Sequence, residues 1–140
     1  ALTACTDLKL VTQRLKVLQD LGLGYLTLGE ETPSLSGGEA QRLKLASEMG
    51  KAQGDTVFVF DEPTIGLHPL DVRTLLGVFR TLIENGATVI VIEHDLDVIR
   101  SADYIIDMGP GGGEEGGRVV AAGTPAEIKA IPESRTGKFI

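Results

Sequence analysis

Apolar residues at Leu8, Val11, Leu15 and Leu18 recur at helical spacing, so they share one face of an amphipathic helix. Thr6 or Asp7 stands where a cap is expected, and Gly22 where the helix should end. Residues 22–35 mix Gly, Pro and Thr with scattered apolar positions and predict a loop, followed by a second helix from about Gly37 to Met49. Val57 to Phe60 and Ala87 to Ile92 are apolar, β-rich runs of the kind expected in strands covered on both faces. Between them Val72, Leu75, Leu76, Phe79, Leu82 and Ile83 mark a third helix, with Asn85-Gly86 as its left-handed stop. Strand, helix and strand with short links form a βαβ unit, whose strands run parallel and whose crossover is right-handed. Farther on, the pattern predicts a short helix at Asp95 to Ser101 and short strands at Tyr104 to Asp107 and Arg118 to Ala122. Thr124-Pro125-Ala126-Glu127 has the form of a capping box with Pro at the first helical position, so a last helix starts there. The expected class is α/β, with a mainly parallel sheet flanked by helices.

Composition narrows the class of partner. The chain has 140 residues, 42% apolar and 24% charged, which suits one globular domain with a core of useful size. Its net charge of -7, with few aromatics and no Trp, argues against a nucleic-acid surface on this piece by itself. Cys5 is the single cysteine, so neither a disulfide nor a cysteine-built zinc site can form within the chain, and a reducing, cytoplasmic setting is expected. The apolar runs are far too short to cross a bilayer. The start at Ala1 resembles neither an initiator segment nor a signal peptide, and the chain reads as a fragment.

Three short segments carry chemistry. In Leu35-Ser36-Gly37-Gly38-Glu39-Ala40-Gln41-Arg42, Ser36 and Glu39 have capping-box spacing just before a helix. Two glycines at the first helical positions weaken the helix by roughly 1 kcal/mol each against Ala. In return the helix end is bare, and its free N–H groups and positive dipole attract phosphate. A glycine loop that merely precedes a helix is the alternative. Next, Val57-Phe58-Val59-Phe60-Asp61-Glu62-Pro63-Thr64 sets two carboxylates at the C-terminal end of a strand, where open α/β sheets bind ligands. Asp61 there can hold Mg²⁺ and Glu62 can activate a water for attack on a γ-phosphate, although acids that simply end a strand are common. At the end of the second strand stands Glu93-His94-Asp95. If the strands are neighbours, His94 emerges at the same edge as Glu62, where it can donate to a γ-phosphate or hold the attacking water. In isolation, a histidine capping the following helix would be the simpler account.

In this order the segments resemble ATP-binding-cassette (ABC) ATPases, a P-loop NTPase family. Leu35 to Gln41 resembles the signature motif, Val57 to Glu62 the Walker B strand with its catalytic Glu, Gly66 to Asp71 the D-loop, and His94 the switch histidine. Within that superfamily the wording is most similar to the UvrA family, the damage-recognition ATPases of bacterial nucleotide excision repair. The stretches that carry this are Gly22 to Gly29, Leu35 to Ala46, Asp61 to His68, Val91 to Ile99, Ala102 to Gly113 and the tail Ser134 to Phe139. Ile65, where that family usually has Thr, and the variable segment Met49 to Thr56 depart from the pattern.

The resemblance implies ATP and Mg²⁺ as ligands. It implies two cassettes in one longer chain, a homodimer, damaged DNA and the UvrB subunit as partners, and zinc modules outside this piece. It makes residues from about 1 to 50 the signature helical region and those from about 55 to 140 the Walker B and switch-histidine core, both from the C-terminal part of the second cassette. Ser36, Gly37, Gly38 and Glu39 would face ATP held by the other cassette, Asp71 would sit in the D-loop between them, and Asp61, Glu62 and His94 would serve this cassette's own nucleotide. No G-x-x-x-x-G-K-[ST] occurs, so the Walker A loop is expected upstream and the fragment is expected to be inactive alone. The glycine-rich stretch Gly109 to Gly117 lacks Lys, carries two acids and reads as a mobile turn between strands. An ABC transporter cassette is the alternative, but it usually shows Gln after the signature glycines and Ser-Ala-Leu-Asp in the D-loop.

Overall fold

The computed structural model describes residues 7–29, 31, 34–49, 54–111 and 116–140. They form two compact units, one up to Glu93 and one from His94 to Ile140.

The first unit contains α1 (Lys9–Asp20), α2 (Gly37–Glu48), β1 (Val57–Asp61), α3 (Pro69–Glu84) and β2 (Thr88–Ile92). The strands β1 and β2 pair in parallel, with Val57 opposite Thr88 and Asp61 opposite Ile92, so the expected βαβ unit is present. Leu21, Leu23, Leu45, Phe60, Leu75, Val78, Phe79 and Leu82 form its buried cluster, with Phe58, Val89 and Val91 packed against it. Phe60 lies over Phe79 with ring centroids 5.0 Å apart. His68 caps α3 and Pro69 opens it, while Gly86 at φ 94° makes the left-handed exit read from Asn85-Gly86. The cap expected at Thr6 or Asp7 is not the one used: α1 starts after Leu8 with no side-chain cap, and Thr6 lies outside the described residues.

The strands also depart from expectation. Burial alternates along both, so among the described residues they are covered on one face and not on two. Phe58, Phe60, Val89 and Val91 face the cluster, whereas Val57, Val59, Ile90 and Ile92 are 49–60% exposed. The physical reason is that the helices packed here contribute their apolar side chains to one face only. Asp61 has the same parity as Val57 and Val59, and so belongs to the open face.

The second unit holds α4 (Leu96–Ser101), β3 (Ile105–Gly109), β4 (Arg118–Gly123), α5 (Pro125–Lys129) and a 3₁₀ turn at Thr136–Lys138. The strands β3 and β4 are antiparallel, with an irregularity between Asp107 and Met108. The capping box of α5 is formed as read, Thr124 and Glu127 each bonding the other's backbone N–H. Ile105, Ala121 and Ile128 make a small core with Ile99, Ile131 and Ile140. The tail closes on β3: Ser134, fully buried, donates to Asp107 at 2.6 Å and accepts from Gly137 N–H at 2.8 Å, and Thr136 donates to the other Asp107 oxygen at 2.7 Å. Residues 112–115 of the glycine-rich stretch lie outside the described residues.

Candidate functional site

The helix α2 starts on the two glycines. Ser36 is its N-cap, its Oγ accepting from Glu39 N–H at 3.3 Å, while Glu39 Oε2 accepts from Ser36 N–H at 2.6 Å. The other Glu39 oxygen takes the hydroxyl of Tyr25, from the preceding loop. These bonds, the tyrosine's first, hold the Glu39 carboxyl below its ordinary pKa and raise that of Tyr25. The two glycines differ in surroundings. A Cβ on Gly37 would meet nothing within 4 Å among the described residues, which leave this face of the helix end open. One on Gly38 would lie 3.2 Å from the Arg42 guanidinium and 3.6 Å from the Ile65 carbonyl.

Two residues of α2 tie it to the end of β1. The Gln41 amide bonds the backbone of Asp61 twice, donating to its carbonyl at 2.9 Å and accepting from its N–H at 3.1 Å. Arg42 is 3% exposed; its Nη1 donates to the carbonyl of Pro63 at 2.8 Å and reaches that of Ile65 at 3.4 Å. Burial lowers its pKa, opposed by Tyr25, Glu39 and Asp71, but a guanidinium stays charged.

Between those contacts sits Glu62. Its φ of 46° is left-handed, a conformation that costs a non-glycine residue on the order of 1 kcal/mol and persists only where the surroundings fix it. Here Glu62 N–H donates to Ile92 O at 2.9 Å, and its carbonyl accepts from Ile65 N–H at 3.2 Å, closing a turn directly after β1. Within that turn, Thr64 donates both its N–H, at 2.9 Å, and its hydroxyl, at 2.5 Å, to the carboxylate of Glu93 just beyond β2. Glu62 is thereby half-buried in a turn held from both sides, and Asp61 is exposed at the strand end.

Asp61, Glu62 and the start of α2 are brought together within the first unit. Asp71 lies in the first turn of α3, its N–H donating to the His68 carbonyl at 2.8 Å. His94 opens the second unit, two residues after β2. It does not cap the following helix; Asp95 does, accepting from Asp97 and Val98 N–H at 2.9 and 3.1 Å. Among the described residues, no group of three or more His, Cys, Asp or Glu gathers to hold a metal. Sequence reasoning missed Tyr25, Gln41, Arg42, Thr64 and Glu93. Arg42 was detectable, since it lies three and four positions before Leu45 and Ala46 and so on the buried face of the helix.

A parallel strand ending in Asp61-Glu62, linked to a glycine-opened helix, is the arrangement of an ATP-binding cassette. A solved ATP-binding cassette of an ABC transporter superposes with a TM-score of 0.55 at 26% identity, over 88% of this chain and 46% of that one. The fold is therefore that of an ABC-type P-loop ATPase. No protein-family model matches the chain. Individual relatives do: UvrABC system protein A of Mycobacterium leprae is 56% identical over 131 residues, and that of Bacillus subtilis 52% identical over 141. They are aligned over 93% and 100% of this chain. The crystal structure of UvrA2 from Deinococcus radiodurans has a TM-score of 0.85 at 48% identity, over 91% of this chain and 16% of that one. The chain belongs to the UvrA family, as one segment of it: it spans 14–15% of the length of these two curated relatives.

Proposed function

We propose that this chain is the C-terminal part of the second cassette of a UvrA-type DNA-repair ATPase, and that it supplies pieces of two ATP sites. The observation that carries the reading is the junction of β1 and α2, where Gln41 and Arg42 hold the Asp61-Glu62 strand end against the glycine-opened helix. Asp61 suits Mg²⁺. Its carboxylate is exposed, its backbone is held by Gln41, and a magnesium ion needs only one or two carboxylates when substrate phosphates and water complete its shell. With the ion bound, charge on the phosphates is neutralised. Glu62 orients and activates the attacking water, and His94 contacts the γ-phosphate. Ser36, Gly37, Gly38 and Glu39 present a helix N-terminus to ATP held by the other cassette, with Asp71 in the D-loop between them.

The partners are the remainder of the longer protein, a second copy of it, damaged DNA and the UvrB subunit, in the cytoplasm. The open apolar face of β1 and β2 supports a place for more chain against it. With one cysteine this piece cannot build a cysteine-based zinc site, and without a Walker A loop it does not turn over ATP by itself. A transporter cassette is less supported, since identity to one is 26% against 48% to UvrA2. The test is Asp61→Asn in the longer protein. The Mg²⁺ concentration for half-maximal hydrolysis should rise at least about tenfold, the expected order for losing a charged ligand. An unchanged Mg²⁺ requirement would remove Asp61 from the metal site.

A further inference from the structure

Pro63, Thr64 and Ile65, the three residues after Glu62, are held by two ionisable side chains from different elements. Arg42, buried in α2, donates to the carbonyls of Pro63 and Ile65. The Glu93 carboxylate accepts the N–H and hydroxyl of Thr64. The Pro63 and Ile65 carbonyls and the Thr64 N–H are therefore each fixed by a charge-assisted bond. The Arg42 Nε, buried, finds no acceptor among the described residues. The same guanidinium interacts with Tyr25 and Glu39 at the helix start, so it joins the capped end of α2 to the turn. Gly38 contributes room, because a side chain there would press on the guanidinium.

We infer that Arg42 and Glu93 are positioning residues that together hold Glu62 in its left-handed conformation, and so couple the glycine-opened helix to the hydrolytic carboxylate. The inference rests on the reading of Glu62 as the residue that activates water. Both side chains act through the turn of residues 62–65. Losing either lets the turn relax toward ordinary φ values and swings the Glu62 carboxylate off its line to the water, while the Mg²⁺ site and the phosphate contacts persist.

The experiment measures kcat, ATP affinity and nucleotide occupancy in the longer protein for Arg42→Met, Arg42→Lys, Glu93→Ala and the Arg42→Met/Glu93→Ala pair, beside Glu62→Gln. Arg42→Met should lower kcat about tenfold or more, as misplacing a catalytic group does, with ATP affinity within about twofold of the parent. Arg42→Lys, able to reach one carbonyl, should recover part of that rate. The double variant should be no slower than about the slower single, because both act on one element. Parent-like kcat in both Arg42→Met and Glu93→Ala, or losses that multiply in the pair, would overturn the inference. So would loss of ATP affinity in step with rate, which marks a merely structural role; Arg42→Lys and Glu93→Ala keep the test open if Arg42→Met misfolds. Glu62→Gln separates the two levels: if it hydrolyses normally the water-activating reading fails, whereas if it is inactive and the clamp variants are normal only the clamp fails.

Discussion

Replacing Gly37 or Gly38 by Ala should have opposite effects on the stability of α2. Both are helical, at the first two positions after the Ser36 cap, so each Ala removes a glycine penalty of about 0.5–1 kcal/mol. At Gly37 nothing lies within 4 Å of the new methyl, and the gain stands. At Gly38 the methyl comes within 3.2 Å of Arg42 Nη1, the atom that bonds Pro63 and Ile65. Displacing one such charge-assisted bond costs about 1.5–3 kcal/mol, leaving a net loss of about 0.5–2.5 kcal/mol. Amide hydrogen exchange of peptides covering 37–48 in the longer protein reads this locally, about fivefold in rate per kcal/mol. Gly37→Ala should slow exchange and Gly38→Ala should speed it. If Gly37 faces phosphate across an interface, Gly37→Ala should nonetheless lower hydrolysis at the opposite site while this cassette's own site still binds ATP. Equal exchange rates in the two variants would refute the packing argument, and full hydrolysis in Gly37→Ala would refute the interface argument.

Two other outcomes follow from the same contacts. Asp107→Ala removes both acceptors of the tail and strands the buried Ser134 hydroxyl, so exchange protection around 134–139 should fall by about 2–3 kcal/mol; unchanged protection would mean the tail is held otherwise. In the 140-residue chain with Tyr104→Phe, leaving Tyr25 as its one phenol, absorbance titration should give ionisation above the ordinary value of about 10, returning toward it in Glu39→Gln. The signs define a window: Glu39, lowered on folding, stabilises above its ordinary carboxyl range and loses this as pH falls through its folded value. Tyr25, raised, stabilises below about pH 10 and loses this as pH rises through its own. A Tyr25 titration indifferent to Glu39→Gln would contradict the contact.

Much of the fold was legible because local rules act alone at many positions. The Ser36 and Thr124 capping boxes, the Asn85-Gly86 stop and the Asp95 helix each depend on residues within a few places of one another, and all are formed. Strand coverage was not legible in the same way. Val57, Val59, Ile90 and Ile92 read as buried because their apolarity reports what a strand can bury, not whether a partner is present on both sides. At the site, residue identity and spacing reached Asp61, Glu62 and the Ser36 helix end. They did not reach the bonds from Gln41, Arg42 and Glu93, which span 20 to 29 positions and exist only once β1, β2 and α2 are assembled. The left-handed Glu62 was equally hidden, since no glycine or asparagine marks it.

The most direct measurement of the central claim is nucleotide occupancy and phosphate release in the longer protein carrying Glu62→Gln. The amide keeps the volume of the side chain but cannot take a proton from water, and Asp61 remains to hold Mg²⁺. The account predicts that ATP binds with parent-like affinity and stays trapped unhydrolysed at the site this chain serves. Hydrolysis there at the parent rate would contradict it.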